Sequence, residues 1–224
     1  MVVLKPLAKV VSYLFHPLLI LTYMLMLLLL VNPYLFGLNS IADTNSKILI
    51  LRIFLYTFFI PAVSVVVLKL VGMIDTLEMK DKTERIGPYL ITGIFYLWMF
   101  RNFLSNSNIP AAYTSFVLGA TIGLFIAFFI NIFSKISAHA VGMGGLIGMV
   151  VITMLLFSYG SFTINFGFLG SLHLNMNVVL MITIILTGLV GTSRLLLQAH
   201  EPQDLYGGLV VGFSSQFIAL YFLF

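Results

Sequence analysis

The chain has no cysteine among its 224 residues, which excludes disulfides and thiolate metal sites and leaves the redox compartment open. It is also poor in charge: Lys and Arg number 11, Asp and Glu 7, and the charged fraction is 8%, against 61% hydrophobic residues and a mean hydropathy of +1.13. Its four histidines, His16, His139, His173 and His200, show neither H-x-x-x-H nor H-E-x-x-H spacing, which argues against a transition-metal site. The net charge is +4 and the pI near 9.3, but the cations are scattered over loops and spans and form no basic stripe. That argues against a nucleic-acid partner and fits membrane orientation and phosphate binding.

What the chain does have is long apolar runs. Runs of roughly 20 apolar residues separated by short polar breaks are long enough to cross a ~30 Å hydrocarbon layer repeatedly. They are too continuous for the alternating strands of a barrel, so the spans are expected to be helices. The expected fold is all-α, a polytopic transmembrane helical bundle of six or seven hydrophobic helices. The segments read as about 10–31, 48–73, 88–104, 111–133, 141–160, 174–192 and 205–224. The first follows Lys5 and Lys9 and has no A-x-A-like cleavage site after Val31, so it reads as a retained span. The third carries Trp98 and Arg101 near its far end and reads as a span or as a re-entrant segment. No repeat or linker divides the chain, which is expected to be one domain over 1–224 with a motif-bearing core at about 74–224.

Ionisable groups cluster where the spans end. Asp75, Glu78, Asp81 and Glu84 lie in the break at 74–87, Glu201 and Asp204 in the break near 193–204, and a third break runs Ser134-Lys135-Ile136-Ser137-Ala138-His139. Charge at a membrane boundary in so apolar a chain points to function. With seven crossings, the breaks after the second, fourth and sixth spans all emerge on the N-terminal side of the membrane, as one composite site requires. Ser193-Arg194, His200 and Asp204 set a cation, an imidazole and a carboxylate at a single boundary, a group that can bind and attack phosphate.

This pattern resembles the type-2 phosphatidic acid phosphatase superfamily, the lipid phosphate phosphatases, whose core is shared with vanadium haloperoxidases. The family's motifs are K-x6-R-P, P-S-G-H and S-R-x5-H-x3-D, in that order. The third is complete in Ser193, Arg194, His200 and Asp204. The second is present as Ile136-Ser137-Ala138-His139, which keeps Ser and His and loses Pro and Gly. The first is Lys80 followed, six residues on, by Gly87-Pro88, so its Arg is missing while Arg85 stands two positions earlier. The resemblance covers about residues 80–204 and leaves the first two spans unmatched.

Phosphoryl transfer from a lipid needs a nucleophile in line, cations around the equatorial oxygens and an acid for the leaving alcohol. The resemblance implies that His200 attacks phosphorus to form a phosphohistidine, with Asp204 on its other ring nitrogen favouring the imidazolium. His139 is the implied general acid, which later activates water. Lys80 and Arg194 would bind phosphate oxygens, Arg85 would stand in for the missing first-motif Arg, Ser137 would donate its hydroxyl, and Ala138 its backbone N–H. Pro202 suits the first turn of a helix, so the last span is expected to begin there with its amides facing the phosphate. No cofactor and no metal is called for. Lys82, Asp81 and Glu84 read as solvated or anchoring groups, and His16 and His173 as structural or interfacial ones.

The implied substrate is a phosphorylated membrane lipid, a phosphomonoester or a diphosphate, because almost no extramembrane chain exists to hold a soluble one. Two other readings of the same residues are a transferase that passes the phosphohistidine to an alcohol and a non-catalytic lipid-binding protein. An intramembrane prenyltransferase is a weaker rival, since its paired D-x-x-x-D-like clusters are absent. Lys and Arg favour a cytoplasmic N-terminus, but without Lys80, Arg85 and Arg194, which phosphate chemistry can explain, that bias shrinks. Small size suggests a bacterial inner membrane, with the site's side of the membrane left open.

Overall fold

Backbone amides in hydrocarbon must be satisfied within their own segment. The computed structural model, which describes residues 4–77, 79, 81–165 and 170–224, meets that demand with helices. They are α1 (Leu4–Leu14), α2 (Ile20–Val31), α3 (Thr44–Phe54), α4 (Ile60–Leu70), α5 (Ile86–Leu104), α6 (Ala111–Phe133), α7 (Ala138–Ile152), α8 (Met176–Leu196) and α9 (Pro202–Leu223). Six stretches are long and apolar enough to cross a membrane: Leu4–Val31, Thr44–Leu70, Ala111–Phe133, Ala138–Phe157, Met176–Leu196 and Pro202–Leu223. The protein is therefore an all-α polytopic membrane protein. Large apolar side chains such as Leu70, Phe133, Ile185, Tyr221 and Phe222 face outward, as a lipid-facing surface requires.

Two passes depart from straight helices, each for a local chemical reason. In the first, Pro17 keeps His16 out of the helical region (φ −62°, ψ 135°) and ends α1; a 3-10 turn over Pro17–Leu19 then leads into α2. In the second, Pro61 has no N–H to give Thr57, and a π-turn over Leu55–Phe59 joins α3 to α4. The Thr57 carbonyl accepts instead from the Tyr96 hydroxyl at 3.4 Å, and its side chain pairs with that of Thr22 at 3.0 Å.

The third segment, open between spanning and re-entrant in the sequence, runs the full length of its neighbour. At one end the Lys82 ammonium donates to the carbonyls of Ile132 and Phe133 at 3.1 and 3.3 Å. Midway, a Cβ at Gly93 would meet Phe125 at 2.9 Å. At the other end the Phe103 and Tyr113 rings lie 6.2 Å apart. Helix α5 is thus antiparallel to α6 from end to end, and the chain makes seven passes through the bundle. A difference from the sequence reading lies between α7 and α8, where a plain connection was expected. There β1 (Ser161–Asn165) and β2 (Ser171–Asn175) form an antiparallel hairpin, Ser161 opposite Asn175 and Asn165 opposite Ser171, with Phe162 buried beneath it.

The core lies among α2, α6 and α7, where Met24, Leu25, Leu28, Tyr113, Phe116, Val117, Met149 and Val150 are buried. Helix α9 packs parallel to α7 along a glycine seam. A Cβ at Gly208 would meet Ala140 Cβ at 2.8 Å and the Ser137 carbonyl at 2.9 Å, and Gly212 and Gly144 press on the backbones of Val141 and Leu209. Gly144 and Gly148 on one helix, and Gly208 and Gly212 on the other, give each a small-xxx-small face, the usual means of close approach where lipid supplies no hydrophobic drive. Because α7 and α9 are parallel, their N-termini share one end of the bundle.

Candidate functional site

The site is built around the turn that joins α8 to α9. Helix α8 ends in a Schellman arrangement: Gln198 N–H donates to Leu195 O at 2.9 Å and Ala199 N–H to Arg194 O at 3.1 Å, with Gln198 in the left-handed region at φ 53°. The chain then reverses, leaving Arg194 on the last turn of α8 and His200 just ahead of Pro202, the first residue of α9. Glu201 and Asp204 form a capping box, each side chain accepting from the other's backbone N–H. The Asp204 carboxylate is thereby fixed. Its Oδ2 accepts from Glu201 N–H at 3.2 Å and from the His200 Nδ1–H at 3.1 Å. With the proton on Nδ1, the His200 Nε2 carries the free lone pair.

The other two polar breaks close on this turn. Ser137 N–H donates to the Asp204 carbonyl at 3.3 Å, and the Ser137 hydroxyl oxygen caps α7 by accepting from Ala140 N–H at 3.4 Å. Arg85 reaches across from the start of α5, donating Nε to Met79 O at 3.0 Å and Nη1 to Ile136 O at 3.3 Å. Its guanidinium stands within Coulombic range of both His200 and Asp204. His139, in the first turn of α7, donates Nε2–H to the Ser12 carbonyl at 3.0 Å; since a carbonyl can only accept, the nitrogen left for chemistry is Nδ1. Arg194 acts electrostatically on His16, His139 and His200 together.

Burial and two guanidinium groups decide the charge of His200. Desolvation, ahead of the opposing hydrogen bond to Asp204 and with Arg85 and Arg194 adding to it, lowers its pKa to about 4. Asp204 does favour the imidazolium, as expected from the sequence, but burial outweighs it, and the side chain is held neutral at pH 7 with its Nε2 lone pair free. Burial also lowers the Arg85 pKa, against the pull of Tyr89, Asp204 and Glu84. The N-termini of α7 and α9 add their partial positive charge to the same small volume. Arginines, imidazoles and helix ends converging on a neutral nucleophile make a site for an anion with an electrophilic centre.

Of the residues singled out from sequence, His200, Asp204, His139, Arg194 and Arg85 come together here, with Ser137 and Ala138 at the start of α7. Ser137 is fully buried, and its oxygen already serves as the cap. Ser193 turns its hydroxyl back to Leu189 O at 2.8 Å. Lys80 lies outside the described residues. Lys82 caps the carbonyl end of α6, and Glu84 accepts from the backbone N–H groups of Asp75, Thr76 and Asp81 at 2.9 to 3.4 Å, so the acidic loop is organised from within. His173 is on the far hairpin, its Nδ1 3.0 Å from the Thr163 hydroxyl.

His16, read as structural or interfacial, caps the turn after Pro17 through its side chain, and its ring also meets that of His139 edge to face at 5.6 Å, a proximity that sequence reasoning missed. The available signal was an imidazole kept inside an otherwise apolar span. Among the described residues no group of three or more His, Asp or Glu side chains could hold a metal ion. No protein-family model, curated protein or solved structure matches the chain.

Proposed function

We propose that this integral membrane protein is a phosphatase acting on a phosphorylated lipid, a phosphomonoester or diphosphate, through a phosphohistidine on His200. The single observation that carries the reading is the buried His200–Asp204 pair, Nδ1 to Oδ2 at 3.1 Å, beside two arginines and two helix N-termini. The motif order along the chain, which resembles the lipid phosphate phosphatases, supports the same reading.

The chemistry uses only the chain's own groups. The His200 Nε2 lone pair forms an N–P bond as the P–O bond to the lipid breaks, and the leaving oxygen takes the Nδ1 proton of His139, which enters the step as the imidazolium, protonated beside the bound phosphate anion, and leaves it neutral with Nε2–H still on the Ser12 carbonyl. Asp204 stabilises the charge that develops on the His200 ring, and Arg85 and Arg194 bind the equatorial oxygens. Water, deprotonated by His139, then attacks phosphorus from the opposite side, breaks the N–P bond and releases inorganic phosphate. The site lies at the span ends, where a lipid headgroup sits, and a bacterial inner membrane is the proposed location.

The test is phosphate release from a panel of lipid phosphates by the purified protein in detergent containing EDTA. Release by wild type and none by His200→Ala is the expected result. Equal release by both proteins, or none by either, would sink the proposal.

A further inference from the structure

The first pass lies outside the stretch that resembles the phosphatases, yet it contributes two groups to the site. The Ser12 carbonyl accepts the His139 Nε2–H at 3.0 Å and so fixes that ring's tautomer. Four residues on, His16 stands on the same site. Its ring is edge to face with His139 at 5.6 Å and, on another side, with Phe58 at 6.1 Å; Arg194 is its Coulombic neighbour.

The proton on the His16 ring can be placed. Its Nδ1 accepts the Leu18 N–H at 3.4 Å, the hydrogen bond that caps the turn after Pro17. A neutral ring therefore carries its hydrogen on Nε2, and among the described residues the His16 side chain makes no hydrogen bond besides the one at Nδ1. The groups around it are an aromatic ring, a second imidazole whose Nε2 is engaged, and an arginine. With its Nε2–H not sealed inside the protein and an arginine as its charged neighbour, the ring offers a donor to a ligand, and the ligand that suits a guanidinium and two helix N-termini is an oxyanion.

We infer that His16 is a further phosphate-binding residue, donating its Nε2–H to an oxygen of the phosphate held by Arg194 and the α7 and α9 termini. The inference rests on the reading of this turn as a phosphate site, and it brings the first pass into substrate binding.

Asparagine and glutamine separate this role from capping. His16→Asn keeps an oxygen near the Nδ1 position and can still cap the turn, but loses the distal donor; His16→Gln keeps a distal N–H near the Nε2 position and loses the cap. Affinity for inorganic phosphate, measured by isothermal titration of the full chain in detergent, is expected to fall by about 10-fold or more in His16→Asn and to stay within about 3-fold of wild type in His16→Gln. Should His16→Asn fail to fold, His16→Ala with added imidazole carries the same reading, affinity returning as imidazole fills the gap.

The inference is overturned if His16→Asn binds like wild type, if His16→Gln is the impaired variant, or if wild type binds no phosphate. Lipid phosphate release measured in parallel keeps the two proposals apart. Binding that follows the expected pattern without any release by wild type removes the hydrolase and leaves His16 in place. Release by wild type with equal binding in all variants removes only the role of His16.

Discussion

His200 is neutral because burial outweighs its carboxylate partner, and that balance has two consequences in opposite directions. A pKa lowered to about 4 keeps His200 unprotonated down to that pH, so, on the proposed function, the acid limb of phosphate release is expected near pH 4, well below the ordinary imidazole value of about 6.5. Folding shows the other side. The unfolded chain takes up this proton below about pH 6.5 and the folded chain only near 4, so stability from this group is present above 6.5 and lost as pH falls through that window. A thermal midpoint that falls over the window, less steeply in His200→Gln, is the expected observation. Asp204→Asn should lower kcat by on the order of 10²–10⁴ with little change in KM, because the capped turn remains while the ring loses its anionic partner. The family resemblance singled out His200, Asp204, His139 and Arg194 and put Arg85 forward for the missing first-motif Arg, and the fold brings these five residues together at one end of the bundle. The sequence could not show that Ser137 caps a helix or that His139 uses Nδ1, since both depend on contacts between segments far apart in the chain.

At the scale of elements, the turn after α8 and the α7–α9 seam are the parts on which the site depends. Gln198 holds a left-handed conformation that costs a side-chain-bearing residue about 1 kcal/mol. Gln198→Gly is therefore expected to raise the unfolding midpoint by about 2–4 °C without loss of activity, measured by thermal scanning in detergent. The seam tolerates less. A Cβ at Gly212 runs into the Val141 carbonyl, so Gly212→Ala should cost about 1–3 kcal/mol, and Gly212→Leu should part the helices, break the Ser137 to Asp204 bond and abolish phosphate release. Periodicity and breaks placed most helices to within a few residues, and Pro202 marked the start of α9. The π-turn before Pro61 and the break at Pro17 were not read, although both follow from the missing proline N–H, because an apolar run looks the same whether it is straight or kinked. The hairpin was missed for a similar reason: its strands are 5 residues each and lie between helices whose apolar runs dominate any window.

At the scale of the whole molecule, seven passes through the bundle would put alternate connections on opposite sides of the membrane if α5 crosses with its neighbour α6. Since the chain has no cysteine, single cysteines report this directly. Ser105→Cys and Thr163→Cys are expected to react with a membrane-impermeant maleimide from one side of intact vesicles and Asp81→Cys and Lys135→Cys from the other; Asp81 and Ser105, which flank α5, reacting from the same side would refute the third pass. The sequence could give this parity only in conditional form, because hydropathy leaves α5 outside the six stretches that qualify as spans, and its alignment with α6 comes from packing between residues far apart in the chain. The parallel pairing of α7 with α9 also bears on how the protein is made. His200 stands just ahead of the last helix and Asp204 in its first turn, so on the proposed function a nascent chain halted after α8 presents arginines and an imidazole with nothing to attack phosphorus, and its glycine-lined α7 has no α9 to pack against. A phosphatase built this way would begin its chemistry only when the final helix leaves the insertion machinery and docks, and an incompletely inserted copy would be inert toward the membrane that surrounds it.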